Sequence, residues 1–481
     1  MSHQFHPSVL REYDIRGTVG KTLGAEDAYA LGRSFATHVV RSGGRCVAVC
    51  YDGRNSSPML EEALVAGLCA SGADVCRIGL GPTPMLYFAE ASLPEVDGGI
   101  QITGSHNPPD QNGFKIVFRG GPFFGPDILD LGRLAAHGGW VQGSGTAKVV
   151  DVMDAYVNRL LAGLEGIAPD LLASLAIGWD TGNGAAGPVV ERLCAQIPGG
   201  LRANLPASLP ASLPASLPGR HVLLHTPVDG TFPGHHPDPS VDANLADLRH
   251  AVAQGRLDFG LAFDGDGDRL GVVDAHGRAL SGDQLIMLLA EDMLKRQPGA
   301  TVIADIKASE AVFERVRALG GTPLVWKSGH SHIKSKMKET GALLGGEVTG
   351  HVFLADEYYG FDDALYAAVR LIAATVRLGR SVAELRDAMP AMVTTPELRF
   401  PVDEARKFAV IEEVRARLVA EGADMVTIDG VRVTTPHGWW LLRASNTESL
   451  LTARAESKDE PGLVHLLAAL DAQLAASGIS R

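Results

Sequence analysis

The sequence predicts an α/β protein of several domains with a separate α+β domain at its C-terminal end. Short apolar runs typical of strands alternate with longer helical patterns along most of the chain. This alternation is the pattern of βαβ units, in which helices cover mixed or parallel sheets. The length of 481 residues suffices for roughly three to four domains of about 100 to 200 residues each.

The predicted elements follow one another in a regular order. The strand-like run CVAVCYDG precedes the helical stretch SSPMLEEALVAGLCASG, and DVCRIGL precedes TPMLYFAEASL. LAIGWD leads into GPVVERLCAQI, and TVIADI leads into ASEAVFERVRALG and then TPLVW. The rhythm then changes to a meander of strands around the helix KFAVIEEVRARLVAEG, closed by a final helix PGLVHLLAALDAQLAA. This change of pattern marks the separate α+β domain.

The charges and the cysteines restrict the class of protein. The 43 lysines and arginines against 56 aspartates and glutamates give a formal net charge of −13. Non-specific nucleic-acid binding rests on excess positive charge and is therefore disfavoured. The five cysteines form no CxxC pair, as expected of a reduced, intracellular protein. Since no signal-peptide core or bilayer-spanning run is found in the sequence, we expect a cytoplasmic protein without a membrane partner.

One segment of the chain is low in complexity. The units NLPA, SLPA, SLPA and SLPG follow one another at residues 204–219, and each contains a proline. This spacing is incompatible with a regular helix or a central strand. We predict an extended surface insertion at residues 203–219, with a proline-rich recognition segment as the alternative.

Two glycine-rich stretches are similar to nucleotide-binding loops. GTVGKT does not satisfy GxxxxGK[ST], because the first glycine would have to stand where the sequence has Ile15. GNGAAG, residues 182–187, matches GxGxxG between a predicted strand and a helix. The next acidic residue at a strand end, Asp229, lies far beyond the expected spacing of roughly 20 residues, part of which the insertion accounts for. Tight packing of strand against helix is favoured, with a dinucleotide site as the alternative.

Three carboxylates at alternate positions give the strongest chemical signal. In LAFDGDGDRLGVV an apolar run ends, Asp264, Asp266 and Asp268 follow with glycines between them, and a second apolar run begins. Crowded anions are costly unless a cation neutralises them, and oxygen ligands suit Mg²⁺ together with a phosphate. An EF-hand is excluded, because its sixth and twelfth positions are here Arg269 and Ala275. We predict a metal site, with a solvated acidic turn as the alternative.

The stretch TGSHNPPDQNG, residues 103–113, holds a serine in a rigid setting. Ser105 stands between glycine and two prolines, with Lys115 just beyond the stretch. Gly, Ser, Asn, Asp and Pro all favour turns for local backbone reasons, so a tight turn is an equally good interpretation of this stretch alone.

Two further stretches carry polar groups suited to a phosphorylated sugar. In GGEVTGHV the side chains of Glu347, Thr349 and His351 point the same way if the segment is extended, an arrangement suited to vicinal hydroxyls. RASNTES begins with Arg443, and a guanidinium beside hydroxyls and backbone N–H groups suits a phosphate. A half-exposed strand and a capped turn are the alternatives.

Together the motifs resemble those of one family, the α-D-phosphohexomutases. YDIRG, TGSHNPP, DGDGDR, GEVTGH and RASNTE occur in the family's order, and the resemblance is closest to its bacterial phosphomannomutase/phosphoglucomutase branch. The family fold implies three similar α/β domains with mixed sheets and a C-terminal α+β domain around a central active-site cleft. On this chain the domains would cover residues 1–150, 151–255, 256–370, which includes the metal loop, and 371–481.

The resemblance also implies roles for individual residues. Ser105 would be the phosphoserine that gives and takes a phosphoryl group, and its phosphate would hold Mg²⁺ together with the three aspartates. Glu347 and Thr349 would bind sugar hydroxyls. The phosphate that is not transferred would be bound by Arg443, Ser445, Asn446 and Thr447. The remaining residues implied to line the cleft are Tyr13, Arg16, Lys115, Arg269, Lys307, His330 and His351. Lys115, Arg16, His351 and Arg269 would be catalytic, the first three as candidates for proton handling.

The activity implied is reversible phosphoryl transfer between C6 and C1 of a hexose phosphate through a hexose 1,6-bisphosphate. We expect mannose 6-phosphate and mannose 1-phosphate as substrates, together with the glucose pair, and a monomer or dimer. Alternatives are a phosphoglucosamine mutase, a nucleotide-dependent oxidoreductase using GNGAAG, and a non-catalytic sugar-phosphate binder. Two positions depart from the family pattern, since Ser449 replaces the usual proline and Thr349 stands where serine is common.

Overall fold

The computed structural model describes residues 2–199, 220–445 and 449–479. Within these ranges the chain forms four sheets, which follow one another along the sequence. The first three sheets combine parallel and antiparallel strands and are covered by helices, whereas the fourth is antiparallel. The predicted four-domain α/β architecture with mixed sheets is therefore confirmed. The predicted insertion at 203–219 lies outside the described residues.

The first sheet carries the serine-containing loop at the end of one of its central strands. Its strand order is β1-β5-β4-β2-β3-β7, with β6 attached to β5. Strands β2, β3, β4 and β7 run parallel, so the carboxyl ends of β2 and β4 lie side by side. The elements are β1 (Ile15–Thr18), α1 (Ala25–Arg41), β2 (Cys46–Tyr51), α2 (Ser57–Ala70), β3 (Asp74–Leu80), α3 (Thr83–Ser92), β4 (Gly98–Ile102), β5 (Gln111–Phe118), β6 (Gly121–Phe123), α4 (Pro126–His137) and β7 (Ala147–Val149).

The second sheet, of order β12-β11-β10-β8-β9, carries the aspartate loop. Its elements are α5 (Met153–Leu161), a 3-10 turn (Ala162–Leu164), α6 (Pro169–Ser174), β8 (Ala176–Asp180), α7 (Gly187–Gln196), β9 (Arg220–Leu224), a 3-10 turn (Asp242–Leu245), α8 (Ala246–Gly255), β10 (Phe259–Phe263), β11 (Leu270–Asp274) and β12 (Ala279–Leu280). The predicted boundary after residue 255 falls inside this sheet, because β10 pairs in parallel with β8. The aspartate loop thus joins two strands of the second sheet, not of the third.

The third sheet has the strand order β14-β13-β15-β16. The loops that follow β13, β14 and β15 all contribute residues to one cavity. Helix α9 begins at a capping box in which Ser281 and Gln284 satisfy each other's backbone N–H groups. The elements are α9 (Gly282–Arg296), β13 (Thr301–Asp305), α10 (Glu310–Ala318), β14 (Thr322–Trp326), α11 (His330–Thr340), β15 (Leu344–Gly346), β16 (Val352–Leu354), α12 (Ala364–Leu378) and α13 (Val382–Asp387).

The fourth sheet is the meander expected from the C-terminal pattern. Its strand order is β17-β22-β21-β20-β19, with β18 attached to β22. The elements are β17 (Val393–Thr394), β18 (Leu398–Pro401), α14 (Glu404–Glu421), β19 (Met425–Val426), β20 (Val431–Thr435), β21 (Gly438–Ala444), β22 (Leu450–Ser457) and α15 (Glu460–Ala476). The buried Arg432 ties this sheet to the third by donating to the carbonyl oxygens of Ile306 and Ala308 at 2.8 and 2.9 Å.

Across residues 2–199, 220–445 and 449–479, every helix is too short or too polar to cross a bilayer.

Candidate active site

A cavity of about 710 Å³ opens where the four sheets meet, and residues from all four contribute to its walls. Most of the predicted site residues line this cavity, although they come from widely separated parts of the sequence. These residues are Tyr13, Arg16, Ser105, Lys115, Arg269, Lys307, His330, Glu347, Thr349, His351, Arg443 and Ser445. The predicted central cleft is therefore present in the structure. Asn446 and Thr447, which were predicted to bind phosphate, lie outside the described residues.

The serine of TGSHNPP lies at the base of the cavity. Ser105 is 3% exposed, and its Oγ donates to Asp264 Oδ2 at 2.9 Å and lies 3.0 Å from His106 Nδ1. Its backbone has a φ of +50°, a left-handed conformation that costs about 1 to 3 kcal/mol for a residue other than glycine. Thr103 Oγ1 accepts the Ser105 N–H at 2.8 Å. The loop thus holds the hydroxyl against the aspartates at the cost of local strain.

The three aspartates converge at the tip of the β10–β11 hairpin. Asp264, Asp266 and Asp268 are fully buried, and each offers a carboxylate oxygen within 4.8 Å of the others. The loop turns at Gly267, which has a φ of +74°. Across the loop, a side chain at Gly265 would lie 2.4 Å from the carbonyl oxygen of Ser105. Glycine at this position therefore allows the aspartate loop and the serine loop to touch.

Lys115 balances part of this negative charge. Its Nζ donates to Asp266 Oδ2 at 2.7 Å and also contacts Asp268 Oδ2. Burial opposes ionisation of Asp266, but Lys115, the Thr83 hydroxyl and the charge of Arg16 together outweigh it and hold the pKa of that carboxyl well below its usual range. Burial, followed by repulsion from the two other carboxylates, raises the pKa of Asp264 well above its usual range. One ammonium group therefore does not neutralise the whole cluster.

The donor set of this loop fits a magnesium ion. Asp266 Oδ1 and Asp268 Oδ1 are buried, and among the described residues they accept no hydrogen bond. Buried carboxylate oxygens without a donor are costly, and a cation bound between them removes that cost. All three ligands are oxygens, the type that Mg²⁺ prefers. The aspartates thus form a candidate metal site directly beside Ser105 Oγ.

Two arginines flank the serine and the aspartates. Arg16 is 7% exposed, donates to Asp14 Oδ2 at 2.8 Å, and binds the carbonyl oxygen of Thr103 at 3.0 Å. Arg269 donates through Nε to His351 Nε2 at 3.0 Å. Both guanidinium groups therefore reach the cavity beside Ser105. Negative charge that develops there in a reaction would be stabilised by them.

Two stacked imidazoles share one buried carboxylate on the side of the third sheet. His351 accepts the hydrogen bond from Arg269 through Nε2, so its proton lies on Nδ1, 3.2 Å from Asp362 Oδ2. His330 Nδ1 lies 3.6 Å from the same oxygen, and its ring stacks on His351 with centroids 5.7 Å apart. Burial, followed by the charge of Lys334, lowers the pKa of His330 well below its usual range. His330 is therefore neutral near pH 7.

Polar groups that could bind a sugar lie on the same side. Glu347 is 4% exposed, accepts the Gly329 N–H at 2.7 Å, and has a pKa raised by burial. Tyr13 reaches across from the first domain, and its hydroxyl donates to the carbonyl oxygen of Ser328 at 3.0 Å. Lys307 Nζ lies 3.6 Å from Asp305 Oδ2. This wall offers both donors and acceptors to a polyhydroxylated ligand.

The fourth domain contributes a guanidinium at the far end of the cavity. Arg443 is 8% exposed, and its Nη2 lies 2.9 Å from Asp429 Oδ2. Arg399 on β18 stands in register with Thr452, which stands in register with Arg443. The three side chains therefore share one face of the sheet, and all three line the cavity.

The sequence analysis missed Arg399 and several supporting residues. Thr83, at the start of α3, donates its hydroxyl to Asp266 Oδ2 at 2.5 Å. Asp362 precedes the N-cap of α12, and the pair DD before a helix is a signal that could have identified it. Asp52 and Arg54 follow the end of β2 and bind the main chain of the serine loop at Gly104 and Ser105. Their place at the carboxyl end of a parallel strand was the available signal.

The glycines of GNGAAG serve close packing, as favoured from the sequence. A side chain at Gly187 would lie 2.0 Å from the carbonyl oxygen of Thr226, and one at Gly184 would lie 2.7 Å from that of Gly265. The loop therefore packs against the segment after β9 on one side and against the aspartate loop on the other.

Comparison with known proteins agrees with the four-domain fold. Four consecutive segments match the domain models of one family, described as phosphoglucomutase/phosphomannomutase alpha/beta/alpha domains I (residues 8–131), II (209–277) and III (281–392) and C-terminal domain (397–473). The chain therefore belongs to the phosphoglucomutase/phosphomannomutase family, and the resemblance to the α-D-phosphohexomutases is confirmed.

Individual relatives match over nearly the whole chain. The phosphomannomutase/phosphoglucomutase of Pseudomonas aeruginosa is 40% identical over 474 residues, which is 98% of this chain and 96% of that protein. The phosphoglucomutase of Neisseria gonorrhoeae is 40% identical over 463 residues, 95% of this chain and 94% of that protein. A crystal structure of a phosphoglucomutase/phosphomannomutase family protein from Burkholderia thailandensis superimposes with a TM-score of 0.89 at 40% identity, covering 99% of this chain and 98% of that one.

Proposed function

We propose that the protein transfers a phosphoryl group reversibly between C6 and C1 of a hexose phosphate, through a phosphorylated Ser105 and a hexose 1,6-bisphosphate. Its substrates would be mannose 6-phosphate and mannose 1-phosphate, together with the glucose pair. The observation that carries this proposal is the hydrogen bond from Ser105 Oγ to Asp264 Oδ2 at 2.9 Å within the aspartate cluster. The names of the relatives from Pseudomonas and Neisseria support the same activity.

Asp264, Asp266 and Asp268, with the phosphate on Ser105, would hold Mg²⁺. The ion would supply positive charge to the phosphoryl oxygens as the bond to Ser105 Oγ forms or breaks. Lys115, held by Asp266 and Asp268, would approach the same oxygens. Because phosphoryl transfer passes through a loose, highly anionic state, fixed cations contribute most of the catalysis.

The reacting hydroxyl must lose its proton as it attacks the phosphoserine. His351 accepts a hydrogen bond from Arg269 through Nε2, and its Nδ1 lies 3.2 Å from Asp362 Oδ2, so Nε2 is occupied until Arg269 moves toward the phosphate. We propose that this exchange frees His351 Nε2 to accept a proton. Lys115 and Arg16 are the alternative groups for this step.

Recognition would come from the third and fourth domains. Glu347 and Thr349 would bind sugar hydroxyls, and Arg443 and Ser445, with the predicted Asn446 and Thr447, would bind the phosphate that is not transferred. Tyr13, Lys307 and His330 would contact the sugar from the walls. The cavity of about 710 Å³ is within the range of small-molecule sites, roughly 300 to 1,000 Å³, so a bisphosphate could reorient without leaving.

The test is mutase activity with and without the Ser105 hydroxyl. Purified protein with Mg²⁺ and a trace of glucose 1,6-bisphosphate should convert mannose 1-phosphate to mannose 6-phosphate. Ser105→Ala should abolish the conversion, whereas Ser174→Ala, which removes a surface hydroxyl bonded to the carbonyl of Leu171, should not change it. Full activity of Ser105→Ala would refute the assignment of the nucleophile.

Two further measurements separate the alternatives. A phosphoglucosamine mutase would turn over glucosamine 1-phosphate faster than the mannose and glucose esters. A non-catalytic sugar-phosphate binder would never carry phosphate on Ser105, which intact-mass measurement after incubation with the bisphosphate reveals.

We also propose a cytoplasmic location, from the cysteine usage, and a monomeric state, with a dimer as the alternative. Fractionation of cells tests the first, and light scattering of the purified protein distinguishes a monomer from a dimer.

A further inference from the structure

We infer that Arg54 is a positioning residue for phosphoryl transfer. It fixes Ser105 by binding the main-chain carbonyl oxygens of the loop that carries this serine. This inference rests on the proposed function, since it concerns the same serine. Arg54 itself is 1% exposed, so any effect on catalysis must act through the loop that it binds.

The guanidinium of Arg54 is bound almost entirely to one loop. Its Nη2 donates to the carbonyl oxygens of Ser105 at 2.7 Å and Asn107 at 2.6 Å. Its Nη1 donates to those of Pro108 at 2.6 Å and Gln111 at 2.9 Å. These four carbonyls lie within residues 105–111 of the stretch TGSHNPPDQNG, so a single side chain binds this turn at four points.

Asp52 completes the arrangement from the same strand end. It accepts the Nε–H of Arg54 at 3.1 Å, the Thr103 hydroxyl at 2.8 Å and the Gly104 N–H at 3.1 Å. The Ser57 hydroxyl donates to its other oxygen at 2.6 Å. The residues on both sides of Ser105 are therefore bound to an ion pair that stands at the end of β2.

The space around the guanidinium is closely filled. A side chain at Gly104 would lie 2.2 Å from Arg54 Nε and 2.3 Å from Cζ, so glycine is required there. The ring of Phe232, from the second domain, lies 5.2 Å from Cζ, within the range of a cation–π contact. The planar group is thus held by contacts from two domains, close to where the serine loop meets the aspartate loop.

This geometry suits arginine and not lysine. A guanidinium presents five N–H groups in a fixed plane, and here all five meet an acceptor. An ammonium group presents three donors from one point and cannot reach four carbonyls and a carboxylate together. The positive φ of Ser105 would then lack the contacts that maintain it, and Oγ would move relative to Asp264.

The consequence concerns the chemical step more than sugar binding. A displacement of about 1 Å at a reacting group can cost 10²-fold in rate, whereas Glu347 and Arg443 lie in other domains and contact other partners. We therefore expect Arg54→Lys to lower kcat by about 10- to 100-fold while the KM for mannose 1-phosphate stays within two-fold. Phosphorylation of Ser105 by glucose 1,6-bisphosphate, followed by intact mass, should slow by the same factor.

The matched control is a second buried arginine of the first domain. Arg33 on α1 is 7% exposed and donates to Ser71 Oγ at 2.7 Å and to the carbonyl oxygen of Val141 at 3.2 Å. Arg33→Lys also removes buried hydrogen bonds, but from a different part of the domain. We expect its kcat to stay within two-fold of the wild type. A second test variant, Gly104→Ala, pushes the guanidinium aside without deleting it and decides the question if Arg54→Lys does not fold.

The outcomes distinguish this inference from the proposed function. Wild-type kcat in folded Arg54→Lys, or a KM that rises in proportion to the fall in kcat, would overturn the positioning role while mutase activity itself stands. A fall in kcat equal to that of Arg33→Lys would overturn it as well. Wild-type protein that neither isomerises the sugar phosphates nor becomes phosphorylated on Ser105 would refute the proposed function instead.

Discussion

Two neighbouring loops of the second sheet follow adjacent parallel strands, yet they use glycine for different ends. The loop after β10 carries Asp264, Asp266 and Asp268, and the loop after β8 is GNGAAG. Both begin at the end of a fully buried strand. They touch each other, because the Ala185 N–H donates to the carbonyl oxygen of Gly265 at 3.0 Å.

The difference lies in which polar groups are left without a protein partner. In GNGAAG the N–H groups of Gly182, Asn183, Gly184 and Ala185 each donate to an oxygen of the protein. In the aspartate loop, buried carboxylate oxygens accept no hydrogen bond from the described residues. A glycine-rich loop is a ligand site only where its polar groups remain to be satisfied, and here that condition is met by one loop of the two.

The largest effect is expected from breaking the aspartate loop. Asp266→Asn keeps the size of the side chain but removes the charge that pairs with Lys115 at 2.7 Å. We expect kcat to fall about 10³-fold, and the Mg²⁺ affinity measured by calorimetry to fall with it.

The matching change in the other loop is Asp180→Asn. Asp180 ends β8 and is also buried, but it binds the Gly182 N–H and His235. The Mg²⁺ affinity of Asp180→Asn should stay within two-fold of the wild type, because we assign metal binding to the aspartate loop alone. Equal losses of Mg²⁺ affinity in the two variants would contradict that assignment.

A smaller effect should follow from adding one methyl group between the loops. In Gly184→Ala the new Cβ would lie 2.7 Å from the carbonyl oxygen of Gly265 and 3.0 Å from its Cα, and these backbone atoms cannot yield cheaply. Overpacking of this kind costs about 1 to 3 kcal/mol, measurable by urea unfolding, and displacement of the aspartate loop should lower kcat about 10-fold.

The control for this variant is Gly121→Ala. A Cβ at Gly121 would meet its nearest atom, the carbonyl oxygen of Phe118, at an ordinary 3.5 Å. We expect wild-type kcat from it. Unchanged kcat in Gly184→Ala would show that the aspartate loop does not depend on its neighbour.

The ion pair next to the GNGAAG loop, between His235 and Asp180, should make the free energy of unfolding depend on pH. His235 Nε2 binds Asp180 Oδ2 at 3.0 Å, and its Nδ1 faces the His236 carbonyl oxygen at 3.0 Å. Burial opposes the charge, but the hydrogen bond and charge of Asp180, the His236 carbonyl oxygen and the charge of Asp247 together outweigh it and raise the pKa of His235 to about 9. His225 packs edge-on against this ring.

A folded pKa above the unfolded value of about 6.5 means that the stabilisation is complete below pH 6.5 and is lost as the pH rises through 9. The free energy of unfolding should therefore fall over that window by on the order of 2 kcal/mol more in the wild type than in His235→Gln. Denaturant titrations at pH 6, 7.5 and 9 measure this difference. Parallel pH profiles of the two proteins would contradict it.

The sequence predicted the fold class and most of the cavity wall, because both follow from local patterns. The alternating elements predicted the sheets and helices, and the motifs predicted Ser105, the aspartates and Arg443 as site residues before any contact was known. It misplaced residues 256–280, since the pairing of β10 with β8 joins strands about 80 residues apart. It missed Arg54 because most of this residue's partners are main-chain carbonyls, which no motif marks, and its place after β2 was the remaining signal.

The smallest expected effect is the absence of any binding of NAD(H). A dinucleotide pyrophosphate needs free backbone N–H groups at the start of the helix after the glycine-rich turn. In this structure the N–H groups at residues 182–185 bind Asp180, His225, Thr181 and Gly265. The backbone at Gly187 is closely packed, since a Cβ there would lie only 2.0 Å from the carbonyl oxygen of Thr226. Titration of NADH followed by its fluorescence should show no saturable change up to about 1 mM. A Kd above that concentration corresponds to a binding free energy weaker than roughly 4 kcal/mol. Saturable binding that Gly184→Ala weakens would mean that the loop opens to expose those amides, and the contrast between the two loops would then be one of conformation and not of chemistry.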